Sequence, residues 1–118
     1  MAGVFGALAV GLGAFGAHAL KKVLETSGRA DTYETAVRYH FYHVLALLAV
    51  ALLMEKFNPA MLTYSAWSFV TGIVIFSGSL YVLCLTGTTW LGAITPIGGF
   101  AFILGWIFIV AAVVKGSV

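Results

Sequence analysis

Charge is the scarcest property of this sequence. Six Lys or Arg and four Asp or Glu stand among 118 residues, 8% in all, against 62% hydrophobic side chains. Soluble domains carry about a quarter charged residues, so this shortage excludes a water-soluble fold. The few basic side chains are dispersed and form no stripe interleaved with aromatics, which sets nucleic acid aside as a partner. The single cysteine, Cys84, excludes an internal disulfide; its neighbours Leu83 and Leu85 are apolar, and nothing cationic lies close in sequence to activate the thiol. No Cys pair and no strong zinc spacing is present, so no metal or cofactor is expected. No G-x-S-x-G occurs, and Ser77-Gly78-Ser79 lacks a carboxylate at comparable depth, so no catalytic residue is assigned and the chain does not read as an enzyme.

What is abundant is long apolar runs. They recur at roughly 2–20, 35–54, 61–85 and 93–114, and a run of about 18 residues is enough to cross a hydrocarbon core about 30 Å thick. The fold expected is an all-α integral membrane protein, one domain over 1–118 built as a four-transmembrane-helix bundle, with a polar loop at 21–33 between the first two spans. Ala17-His18-Ala19 has the form of a signal-cleavage site. No Lys or Arg precedes the run, however, and Lys21 and Lys22 follow it, so the first run reads as a retained span.

The first span is dense in glycine and alanine, as expected of a helix that packs closely on others in lipid. Gly3, Ala7, Gly11, Ala14 and His18 follow one another at spacings of three or four and share a face, expected to be the packing face. His18 is read either as pointing into that contact or as a residue at the interface. In the loop, Lys21, Lys22 and Glu25 can extend the first helix past the membrane, Ser27-Gly28 is a stop signal, and Asp31 or Thr32 is the expected cap of the next helix.

The second span opens with Glu34 and Arg38, an i, i+4 pair able to join along one face. At about 100° per residue His40 and His43 lie within about 60° of each other, and Arg38 faces elsewhere. Arg38 is either an interfacial anchor or part of a site. His43 falls near mid-bilayer, where an ionisable side chain is a functional-site candidate by default and a neutral histidine bonded to a neighbouring helix is the plainer reading. The Glu55 to Pro59 turn makes spans 2 and 3 antiparallel neighbours. In span 3, Ser65, Ser68, Gly72 and Ser79 form a small, weakly polar seam, and Phe76-Ser77-Gly78-Ser79-Leu80-Tyr81 loosens the helix. Thr95-Pro96 reads as cap and first residue of span 4, and Gly98-Gly99 lets its backbone approach a neighbour or a ligand.

Four spans place the end of the first, the start of the second, the end of the third and the start of the fourth at one membrane face. His18, Glu34, Arg38, His40, Ser77, Ser79, Tyr81 and Thr95 therefore belong to one half of the bundle, with His43 reaching inward, and these nine are the ligand or relay candidates. Lys21, Lys22, Arg29 and Arg38 against Lys56 and Lys115 favour a cytoplasmic first loop and external termini in a multi-pass cell (inner) membrane protein.

The stretches Gly13-Ala14-Phe15-Gly16-Ala17-His18, Glu34 to His40 with His43, Phe76 to Tyr81, and Ile94 to Gly99 with Gly105-Trp106 are similar to the signature blocks of a family of small four-span proteins, domain of unknown function 423. That family includes bacterial inner-membrane proteins and the eukaryotic transmembrane protein 256. The resemblance covers nearly the whole chain; it implies class and topology and no specific chemistry.

Two functional readings follow. The first is a structural or accessory membrane protein that binds lipid or a partner helix, since Gly/Ala and Ser/Gly seams suit packing and Lys21, Lys22 and Arg38 suit a headgroup. The alternative is a homo-oligomeric channel or carrier for a small solute or proton, using histidines whose unperturbed pKa of about 6.5 suits relay near neutrality. The partners expected are membrane lipid, a second copy of the chain, or another membrane protein.

Overall fold

The computed structural model describes residues 2–116, and these are helical almost throughout. Helix α1 covers Ala2–Ala17, α2 Lys21–Ser27, α3 Ala30–Leu53, α4 Pro59–Gly72, α5 Gly78–Thr86 and α6 Thr95–Val114. A π turn at Ile73–Ser77 joins α4 to α5, and a 3-10 turn at Thr89–Ala93 precedes α6. Among the described residues, three helices are long and apolar enough to cross a membrane: Ala30–Leu53, Pro59–Thr86 and Thr89–Val114. The bent pair α1 and α2 makes a fourth span if the two count as one.

The bend separates the expected helical extension at Lys21, Lys22 and Glu25 from the first helix, and most of the polar segment 21–33 is helical. The chain turns through 70° between α1 and α2, using a wide turn in which the Leu20 N–H donates to the Phe15 carbonyl at 2.9 Å. Lys21 to Ser27 then form a helix of their own, because Leu24 is buried against Tyr33 and Cys84 while Lys21, Lys22 and Glu25 stay exposed. Gly28, at φ 72°, ends α2 as the stop signal predicted. The Gly28 N–H bonds the Glu25 carbonyl and the Arg29 N–H the Leu24 carbonyl, the paired closure in which a left-handed glycine satisfies the last free carbonyls of a helix. The next helix starts at once, with Arg29 as its cap residue; neither Asp31 nor Thr32 caps it, and α3 begins about a turn before the expected residue 35.

The other ends follow the sequence more closely. Asn58 caps α4 by accepting from the Met61 N–H at 3.1 Å, with Pro59 in the first turn, where its missing N–H costs nothing. Gly87, at φ 73°, closes α5. Thr95 is the first residue of α6 and makes no capping bond; its hydroxyl reaches other partners instead.

Packing is tightest between α4 and α6, where glycines admit aromatic rings. A Cβ at Gly72 would overlap the Phe102 ring, one at Gly105 the Phe69 ring, and one at Gly98 the backbone of Phe76. Leu62, Phe69 and Ala112 are almost fully enclosed in the resulting core, with Val44, Leu47 and Val50 of α3 against them. Gly99 makes only ordinary contact with Phe76, and Ser68 is half-buried, bonding back to the Tyr64 carbonyl at 2.8 Å instead of joining the seam.

Helix α1 packs chiefly on α3, and through a different face from the one expected. Gly3, Ala7, Gly11 and Ala14 are exposed, and a Cβ at Gly3 or Gly11 would meet nothing within 4 Å. The inward positions are Gly6, Ala9, Gly13 and Gly16; a Cβ at Gly6 would lie 3.3 Å from Val44 and one at Gly13 3.3 Å from Val37. Tyr33 decides the rotation: its ring covers Gly16, where any side chain would collide, and its hydroxyl donates to the Leu12 carbonyl at 2.7 Å.

Candidate functional site

Each buried polar side chain at the shared end of α1, α3, α5 and α6 is tied to another element. Ser77 donates from its hydroxyl to the Ala36 carbonyl at 2.7 Å, joining the π turn to α3. Ser79 and Thr95 share a hydroxyl hydrogen bond of 2.7 Å between α5 and α6. Tyr81 lies 2.9 Å from His40 Nδ1, joining α5 to α3. Cys84 points its thiol at the Arg29 carbonyl, 3.7 Å away. In the other half of the bundle Ser65 does the same for α4 and α6, donating to the Gly105 carbonyl at 2.7 Å. Polar links of this kind between helices are how a membrane bundle obtains specificity when its faces are all apolar.

His43 is the most completely engaged of the candidates. It is 5% exposed. Its Nδ1 lies 2.7 Å from the Tyr39 carbonyl, which can only accept, so Nδ1 carries the proton. Its Nε2 then has a free lone pair, which accepts from the indole N–H of Trp106 at 3.1 Å. Both nitrogens are used and the tautomer is set by its partners. The ring also lies flat on Phe102, 3.6 Å between centroids and 9° between planes. This arrangement leaves no lone pair to receive a relayed proton.

His40 differs. It is 2% exposed, and while Nδ1 meets Tyr81, Nε2 has no hydrogen-bond partner among the described residues. Its ring meets the edge of Phe5 of α1 at 6.3 Å. Glu34 and Arg38 pair as predicted, at 2.8 Å, on the exposed surface of α3 and apart from both histidines. His18 is exposed at the bend. Among the described residues no three His, Cys, Asp or Glu side chains are grouped to hold a metal ion.

Two grooves border these residues. The first, about 520 Å³, lies where α1 turns into α2 beside the start of α3. Gly13, Gly16, Ala17 and Val37 form its apolar side, Tyr33 and Leu24 close it, and Lys21, Glu25 and Glu34 bring charges to it. The second, about 620 Å³, runs between α3 and α6 and is lined by Tyr39, His43, Gly99, Phe102 and Trp106 among others, with no charged side chain. Neither contains His18, Arg38, His40 or Tyr81, so the nine candidates share one end of the bundle without sharing a cavity.

Residues 12–99 match a family described as a protein of unknown function, DUF423. The chain belongs to this family. It is similar to the UPF0382 membrane protein YwdK of Bacillus subtilis, 50% identical over 109 residues that cover 92% of this chain and 88% of that one. A UPF0382 membrane protein of Haemophilus influenzae is 43% identical over 103 residues, 86% of this chain and 81% of the other. The UPF0382 inner membrane protein YgdD of Escherichia coli is 34% identical over 116 residues, 97% and 86% of the two chains. No solved structure matches. With its apolar helices, this DUF423 chain is a transmembrane protein.

Sequence reasoning missed the roles of Tyr33 and Trp106 and the meeting of Lys21, Glu25 and Glu34 at one groove. Trp106 carried a usable signal: an indole N–H inside an apolar span needs an acceptor, and His43 is one of very few side chains deep enough to supply it. Tyr33 carried none, since its role follows from the bend.

Proposed function

We propose that this DUF423 protein is a non-enzymatic accessory protein of the membrane that holds a lipid molecule at the boundary between apolar core and water. The observation that carries the reading is the groove at the α1–α2 bend, where an apolar floor of Gly13, Gly16, Ala17 and Val37 adjoins Lys21, Glu25 and Glu34. An amphiphile needs those two surfaces side by side. The exposed Gly3, Ala7, Gly11 and Ala14 face of α1 supports a second element of the reading, contact with a helix of another copy or another membrane protein, because small residues permit close approach. The cations Lys21, Lys22, Arg29 and Arg38 gather at the bend end of the molecule, and the reading takes that end as cytoplasmic and the termini as external.

One observation favours the alternative, an oligomeric channel or carrier: the buried Nε2 of His40, which has no side-chain partner among the described residues. The two are separated by purifying the protein from membranes in mild detergent and weighing it intact. The expected result is a phospholipid adduct on wild type that is lost in Ala17→Phe, which fills the groove, at unchanged thermal stability. An adduct equal in both proteins, or none in either, overturns the lipid reading. Protein-dependent proton flux in vesicles that disappears in His40→Ala would establish the alternative.

A further inference from the structure

The charges at the first groove are of both signs, and their arrangement narrows what it holds. Lys21 and Glu25 are four residues apart on α2, yet among the described residues the one ion pair is Arg38 with Glu34. Lys21 and Glu25 are therefore both open to a third party. The rim presents one ammonium and two carboxylates, and Arg38 offsets Glu34 from outside. An anionic lipid would set its negative headgroup against Glu25 and Glu34 with a single lysine to hold it. A zwitterion meets complementary charge at both ends.

The chemistry of the cationic end decides further. A quaternary ammonium has no N–H to donate and is recognised by aromatic cages, whereas this groove offers one aromatic residue, Tyr33, whose hydroxyl is already committed to Leu12. A primary ammonium donates three hydrogen bonds and suits carboxylates. A volume of about 520 Å³ is that of a small-ligand site and takes a headgroup with the start of one chain.

We propose that the groove selects an ethanolamine-type glycerophospholipid, its phosphate on Lys21, its amine on Glu25 and Glu34, and an acyl chain along Gly13, Ala17 and Val37. This rests on the lipid-holding reading and adds the headgroup to it. The Tyr33 ring, seated on Gly16 and bonded through its hydroxyl to the Leu12 carbonyl, forms one wall of the groove.

The test uses the full chain in lipid nanodiscs made from phosphatidylethanolamine, phosphatidylcholine and phosphatidylglycerol with matched chains, followed by intact-mass measurement after release. Phosphatidylethanolamine is expected to be retained about two- to fivefold over phosphatidylcholine, the range that follows from partly exposed ion pairs. Glu25→Gln is expected to remove that preference, and Lys21→Ala to lower retention of both lipids. A preference for phosphatidylglycerol, or a ratio unmoved by Glu25→Gln, overturns the headgroup assignment. If the lipids are retained equally and Ala17→Phe still releases them, the headgroup inference fails while the lipid reading survives; if no lipid is retained, both fail.

Discussion

The closed histidine at the centre of α3 yields a sharp prediction. Removing the indole N–H by Trp106→Phe leaves His43 Nε2 buried without a donor, which costs about 0.6–2 kcal/mol by the range for interhelical bonds in membranes and for buried unsatisfied groups. His43→Ala removes both hydrogen bonds and the ring stacked 3.6 Å from Phe102, leaving a void. By the usual cost of such truncations that is about 2–4 kcal/mol. Because the two residues share one bond, the double variant should be less damaged than the sum of the singles by about 0.5–1.5 kcal/mol. Equilibrium unfolding in mixed detergent, followed by far-ultraviolet circular dichroism, measures all three changes without relying on tryptophan emission. Additive losses, with coupling under about 0.3 kcal/mol, would refute the claim that His43 serves as a link to α6. So would a stable His43→Ala protein that loses a transport activity the wild type displays.

Two further outcomes follow from the packing. Gly98→Val drives a side chain into the backbone of Phe76, and since backbone cannot yield as a side chain tip can, the loss in the same unfolding assay should reach at least about 2–3 kcal/mol, against under about 1 kcal/mol for Gly3→Val on the open face. Arg38→Gln breaks the exposed pair with Glu34 and should change stability by no more than about 0.5 kcal/mol, with any effect vanishing as salt is raised.

The spans were legible because apolar runs of membrane length are a coarse signal that few sequences imitate. The stop at Ser27-Gly28 and the turn ending at Pro59 were legible for a related reason, since each is a local device whose chemistry acts within four residues. The rotation of α1 was not. Small residues occupy several of its faces, so Gly3, Ala7, Gly11 and Ala14 read as well as Gly6, Ala9, Gly13 and Gly16, and only the bulk of Tyr33 from another helix distinguishes them. The bend was hidden because Lys21 to Ser27 read as a straight extension of the first helix or as loop, and only the burial of Leu24 against Tyr33 and Cys84 turns that helix aside. The polar residues could be assigned to one end of the bundle from span order alone. Their individual bonds, Ser77 to Ala36, Ser79 to Thr95 and His40 to Tyr81, depend on side-chain directions that span order does not determine.

The π turn at Ile73–Ser77 has a consequence for how this chain can change. An α-helix advances about 100° per residue, and a π turn takes up one extra residue without that advance, so rewinding the same five residues as regular α-helix would swing everything downstream by about that angle. Ser77, Ser79 and Tyr81 would leave Ala36, Thr95 and His40 together, though no single contact had been altered. The five residues of the turn act as the phase setting between the two halves of one long span. A one-residue deletion within this segment should therefore give an unbroken helix that keeps those contacts, whereas a one-residue deletion early in α5 should rotate the residues beyond it out of register.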